Sequence, residues 1–196
     1  MNSEQPPATS TNNGAQILRE WVTVLVVALV IAITVRTLIL QQFYISGPSM
    51  ESTMYQDNRV LVNKLSYRLH DIHRGDVVVF DRVTVDGEIV QHDDLIKRVI
   101  ALAGETVSIK DCKVFIDGEL LEESYLNDYD LAESELEDRC RVPVMEDLVV
   151  PKNQLFVMGD NRPQSFDSRM FGPIEQSLVV GRAFVIIWPF SAAKFL

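Results

Sequence analysis

Three separated stretches of this 196-residue chain carry side chains that can do chemistry. The first is Gly47-Pro48-Ser49-Met50. A serine hydroxyl is a weak nucleophile until a base takes its proton. A Gly-Pro turn can present such a side chain and leave backbone N–H groups free, but an ordinary loop serine has the same local sequence. The second stretch is Leu95-Ile96-Lys97-Arg98-Val99-Ile100. In an extended strand Leu95, Lys97 and Val99 share one face, and Ile96, Arg98 and Ile100 share the other. Burial disfavours an ammonium ion, so a lysine among apolar neighbours can become a neutral general base. Equally, its stem can pack while its head reaches water. The third stretch, from Gly159 to Gly172, is polar and turn-rich and carries Asp160, Arg162, Asp167 and Arg169. Its oxygen donors admit a cation-binding reading, but the spacing departs from an EF-hand loop and two arginines intrude, so no metal site is expected. The three histidines, His70, His73 and His92, lack a triad context. A Ser-His-Asp mechanism therefore has weak support.

The elements that must position these residues are mostly strands. Residues 59–65, 76–80, 94–101, 105–110, 113–116, 154–158 and 181–188 are short runs rich in branched residues, punctuated by Gly, Asp and Asn. They predict a mainly β body, an antiparallel sheet with a small inserted subdomain. Residues 105–118 read as a hairpin with Asp111-Cys112 at its turn. Ahead of the body, Trp21 to Val35 is apolar apart from two threonines and carries no charge; Arg36 interrupts before Thr37-Leu38-Ile39-Leu40. Twenty helical residues span about 30 Å, one hydrocarbon core, so the run predicts a transmembrane helix. Trp21 suits an interfacial anchor and Arg36 can snorkel to the headgroups. A cleaved signal peptide would need a basic n-region and a small-residue cleavage site. A buried helix of a soluble protein is the remaining alternative, because the run is uniformly apolar rather than striped. The expected organisation is a disordered tail over 1–18, an anchor over 19–40 and a β body over 41–196.

The net charge is confined to one place. Residues 117–148 hold 12 acids and two bases, and so account for the whole formal charge of −10. This insert predicts a solvated loop with at most a helical turn. A chain with this balance is a poor nucleic-acid binder, because phosphate binding needs Lys and Arg.

Taken together and in this order, Ser49-Met50 after an anchor, Lys97-Arg98-Val99 before a Gly turn, and Gly159-Asp160-Asn161-Arg162 with Ser165-Phe166-Asp167-Ser168-Arg169 resemble the type I signal peptidases over roughly residues 17–190. Arg74-Gly75-Asp76-Val77-Val78 also fits a strand of that family. The resemblance implies a serine endopeptidase in which Ser49 is the nucleophile and Lys97 the general base. Ser165 would orient the Lys97 amine, and Asp160 and Arg169 would brace the site as an ion pair. Arg98 would be an outward neighbour of Lys97. Some members donate to the oxyanion from a serine at the position of Gly47, so here the hole would rest on backbone N–H groups. Members usually carry Pro-Thr where this chain has Ser52-Thr53, which suggests a looser turn. Phe43 and Met50 are candidates for lining the substrate pockets.

Cys112 stands where family members often have an Asn-Gly-like turn. A cysteine is a poor choice there, which suggests that it bonds Cys140 and staples the insert to the hairpin; two free thiols are the alternative. The implied substrates are secretory precursors with small residues at the third and first positions before the cut. The implied partner surface is a lipid bilayer, with the N-terminus cytosolic and the body on the export side of a plasma or internal membrane. No cofactor is implied. The reading from another class is a membrane-tethered β module that binds export components without catalysis.

Overall fold

The computed structural model describes residues 13–86, 89–126 and 140–196. It divides into two compact units, residues 1–39 and 40–196. The first contains a helix, α1 (Asn13–Thr34), followed by a π-helical turn over Val35–Ile39 that carries Arg36. Twenty-two residues make a rod of about 33 Å. Its apolar side chains are exposed, Trp21 and Leu25 among them. The hydroxyls of Thr23 and Thr34 donate to the carbonyls of Arg19 and Val30, both at 2.8 Å, so they are satisfied within the helix, as an apolar solvent requires. The segment Gly14–Thr34 is long and apolar enough to cross a membrane. The boundaries differ from the sequence expectation at both ends. Residues 13–18 are helical rather than tail, and Leu40 opens a strand rather than closing the anchor. Residues 1–12 lie outside the described region.

The second unit is built from twelve described strands: β1 (Leu40–Tyr44), β2 (Arg59–Asn63), β3 (Val77–Asp86), β4 (Ile89–Ala101), β5 (Thr106–Lys110), β6 (Lys113–Ile116), β7 (Glu119–Leu120), β8 (Met145–Val149), β9 (Gln154–Met158), β10 (Ile174–Glu175), β11 (Val179–Trp188) and β12 (Lys194–Phe195). The larger sheet runs β1-β2-β11-β3-β4-β9-β10, with β12 also on β11; a smaller one runs β7-β6-β5-β8. Every ladder is antiparallel.

Both faces of the larger sheet are covered, which explains the unbroken apolar run Val77-Val78-Val79-Phe80. Val77 and Val79 pack with Met50, Met54, Val60 and Val62, whereas Val78 and Phe80 pack with Val99, Leu155 and Val157. A third cluster, including Ile100, Val107, Ile109 and Phe156, lies under the smaller sheet. The pleat of β4 follows the same logic. Leu95 and Val99 join one cluster, Ile96 another and Ile100 the third, so Lys97 and Arg98 leave the strand on opposite faces.

The hairpin of β5 and β6 turns through Asp111 and Cys112, whose φ values are 51° and 66°. Two left-handed central residues make the tight turn that matches strand twist. The acidic insert is more ordered than a solvated loop at its two ends, since β7 and β8 both join the smaller sheet. Its middle, residues 127–139, lies outside the described residues.

Candidate active site

Ser49, Lys97 and the loop after β9 meet around one hydroxyl. Lys97 Nζ lies 2.8 Å from Ser49 Oγ and 2.9 Å from the carbonyl oxygen of Ile96, to both of which the ammonium donates. Ser49 is half-buried, and only 3% of Lys97 is exposed. Burial lowers the Lys97 pKa to about 8; Asp167 and Asp160 oppose that fall and Arg169 assists it. A neutral amine at this distance can accept the Ser49 proton.

The turn that presents Ser49 requires Gly47, whose φ is +91°. The Ser49 carbonyl accepts from the Asn161 N–H at 3.1 Å, tying the Ser49 backbone to the loop. Gly159 allows that approach. A Cβ there would lie 2.3 Å from the Ser49 carbonyl oxygen and 2.3 Å from Ser165 Oγ, distances no Cβ tolerates. Ser52, in the same turn, has φ +86°, which proline cannot adopt. The turn is therefore a different conformation, not a looser version of a Pro-Thr one.

Two buried ion pairs support the site, and their partners differ from those the resemblance implied. Asp160 pairs with Arg98, not Arg169: Arg98 Nε and Nη2 donate to the two Asp160 oxygens at 2.9 and 2.7 Å. Their side chains are 8% and 0% exposed, so Arg98 is a buried brace rather than an outward neighbour. Thr53 Oγ1 adds a bond to Asp160 Oδ2 at 2.5 Å, and Arg98 Nη1 reaches the Gly75 carbonyl at 2.9 Å. Arg169 pairs instead with Asp167, through contacts of 2.8 and 2.7 Å. Asp167 also accepts from the Gly159 N–H at 3.0 Å. Burial pushes the Asp167 carboxyl up, but the Arg169 bonds and charge outweigh it and hold the carboxyl below its ordinary range.

Ser165 is fully buried beside Gly159, but its hydroxyl meets no group in hydrogen-bonding geometry, so the expected bond to Lys97 is not made. The hydroxyl is still near enough to Asp167 to help keep that carboxylate ionised. Met50 has no exposed surface and belongs to the core, so it presents nothing to a substrate. Phe43 is half-buried against the same cluster, as is Ile96, which the sequence reading passed over. Thr53, Glu123 and Tyr125 were also missed; no local pattern singles them out. Cys112 and Cys140 are disulfide-bonded, with Cα atoms 5.6 Å apart. The Cys140 carbonyl accepts from Arg169 Nη1, which joins the staple to the site loop.

In chain order an apolar helix long enough to cross a membrane precedes an antiparallel β body in which a buried lysine amine meets a serine hydroxyl. Comparison with known proteins gives the family. The sequence model described as "Signal peptidase, peptidase S26" matches residues 18–188, and the chain belongs to that family. It is 38% identical to Signal peptidase I V of Bacillus subtilis (strain 168), covering 83% of this chain and 95% of that protein. It is 34% identical to Signal peptidase IB of Staphylococcus aureus (strain MRSA252), over 91% and 93% respectively. It is 35% identical to Probable signal peptidase I-2 of Synechocystis sp. (strain ATCC 27184 / PCC 6803 / Kazusa), over 84% and 71%. A crystal structure of a signal peptidase I from Enterococcus faecalis V583 aligns with a TM-score of 0.44 and 32% identity, covering 58% of this chain and 97% of that one.

Proposed function

We propose that this protein removes N-terminal signal peptides from exported precursors, cutting after small-x-small sites with Ser49 as nucleophile and Lys97 as general base. The observation that carries the proposal is the 2.8 Å contact between a buried lysine amine and Ser49 Oγ. In the reactive form Lys97 is neutral and accepts the hydroxyl proton. Ser49 Oγ attacks the scissile carbonyl, and the resulting ammonium gives its proton to the leaving amine. Lys97 then takes a proton from water, which attacks the acyl-enzyme and frees Ser49. The oxyanion is held by backbone N–H groups at Ser49 and its neighbour, since Gly47 offers no hydroxyl. Ser165, buried beside Gly159 with its hydroxyl unpartnered in the structure, would hold the ammonium only after that hydroxyl turns towards Lys97. Phe43 and Ile96 supply apolar surface for the small side chains of the substrate.

In this reading α1 crosses the bilayer with its N-terminal end in the cytosol. The body then works on the export side, where precursors emerge. The test is cleavage of a precursor with an Ala-x-Ala site by detergent-solubilised protein, beside Ser49→Ala and Lys97→Ala. The parent is expected to cut at that site and neither variant to do so. A parent that cuts no precursor in several lipids would favour the tethered, non-catalytic module, and cleavage by Lys97→Ala would remove Lys97 as the base.

A further inference from the structure

We propose that Glu123 and Tyr125, at the entrance to the acidic insert, are positioning residues that hold the general base's supporting network closed from behind; the inference rests on the Ser49/Lys97 reading. The segment carrying them is fixed to the smaller sheet. The Leu121 N–H donates to the Val114 carbonyl at 2.9 Å, and Leu121 and Tyr125 pack on the cluster beneath that sheet. From there the Tyr125 ring lies over the Arg98 guanidinium, whose Cζ is 4.0 Å from the ring centroid. Arg98 is the residue that neutralises Asp160. The Tyr125 hydroxyl donates to Glu123 Oε1 at 2.6 Å. Glu123 in turn receives both terminal nitrogens of Arg162, a pair whose side chains are 7% and 12% exposed. Arg162 completes the circuit, because its Nε donates to the Gly159 carbonyl at 3.1 Å and its own carbonyl accepts from Arg169 at 2.9 Å. Two residues of the insert thus reach both ion-pair systems around the dyad, the Arg98–Asp160 pair directly through Tyr125 and the Arg169–Asp167 pair through Arg162, and touch neither reacting atom.

The direction of the effect follows from the charges facing Lys97, which are Asp160, Asp167 and Arg169. With the ring gone, water reaches Arg98 and its grip on Asp160 loosens. More of the Asp160 charge then acts on Lys97, and its surroundings become wetter. Both changes favour the ammonium and remove neutral base at a given pH.

The test uses full-length protein in detergent micelles with 13C-labelled lysine Cε, the Lys97 resonance being assigned by its loss in Lys97→Met. Its titration midpoint is compared in the parent, Tyr125→Leu, Tyr125→Met and Tyr125→Phe, with kcat and KM measured on an Ala-x-Ala peptide. In the leucine and methionine variants the midpoint should rise. Their kcat at neutral pH should fall roughly 2- to 30-fold, the fold-change of an ordinary cation–π contact, with KM within about twofold. Tyr125→Phe keeps the ring and should restore both values. The methionine variant fills more of the site and serves if the leucine variant does not fold. An unchanged Lys97 midpoint in a folded leucine or methionine variant would overturn the proposal, as would a phenylalanine variant no better than either. The midpoint needs no turnover, so a parent that fails to cleave the peptide while its midpoint still responds to Tyr125 would refute the catalytic reading and not this one.

Discussion

Cleavage is expected to accelerate as pH rises through 8, and the size of the change follows from how deeply Lys97 is buried. Its pKa falls from the ordinary lysine value of 10.5 to about 8. At neutral pH that raises the neutral fraction from about three amines in ten thousand to about one in ten, a gain of roughly 300-fold in competent base. The value of kcat/KM on an Ala-x-Ala peptide, followed from about pH 6 to about pH 9.5, should climb almost tenfold per pH unit at first and flatten above 8. The same burial has a thermodynamic sign. Between about 8 and 10.5 the unfolded chain keeps a proton that the folded one has released, so stability rises with pH across that window. Below 8 the full cost, on the order of 3 kcal/mol, is present. Lys97→Met should therefore abolish cleavage yet melt higher than the parent at neutral pH, with the gap narrowing as the pH approaches 10. A flat rate profile, or one with its midpoint near 6.5, would refute Lys97 as the base. A methionine variant that melts lower would refute the account of burial.

Other perturbations test the frame around the dyad. Gly159→Ala places a Cβ 2.3 Å from the Ser49 carbonyl, and is expected to lower kcat by more than about 100-fold, read in the peptide assay beside a thermal melt. Arg98→Met strands the Asp160 carboxylate and Asp160→Asn strands the Arg98 guanidinium, so each should cost about 3–5 kcal/mol in urea unfolding. Cys112→Ser with Cys140→Ser opens a loop spanning 28 positions and should cost about 3–4 kcal/mol by the chain-entropy relation, measured as the midpoint of denaturation with and without reductant. Ser52→Gly relieves a left-handed serine and should raise stability by roughly 1 kcal/mol in the same experiment.

The alternation along β4 was legible because its period is two and both faces are buried, so Lys97 and Arg98 had to part. What each would meet was not legible. Arg98 finds Asp160 across 62 positions of chain, and nothing in either neighbourhood distinguishes Arg98 from Arg169 as the partner. β1 was hidden because Leu40 continues an apolar run that composition assigns to the helix, and the change of conformation at residues 35–39 leaves no breaker such as Gly or Pro. β8, Met145-Glu146-Asp147-Leu148-Val149, was hidden by its charge. Its exposed acids obscure a strand set by pairing with β5 rather than by its own propensity. Met50 looked available because it follows Ser49, but its side chain packs with Ile45, Met54, Val60 and Val62 while Ser49 faces Lys97.

The site is assembled from residues 49, 97 and 159–169, stations far apart along the chain. In the proposed mechanism Ser49, which emerges first during synthesis, stays inert until β4 has paired in register with β3 and the loop after β9 has closed on both. A slip of one residue along β4 would put either Arg98 at the serine with Val99 at Asp160, or Ile96 at the serine with Lys97 at Asp160, so either slip takes the lysine away from Ser49. An incomplete or misregistered chain would thus hold the nucleophile without its base. In the proposed mechanism the order of the segments therefore acts as a timer, delaying proteolysis until the fold is finished.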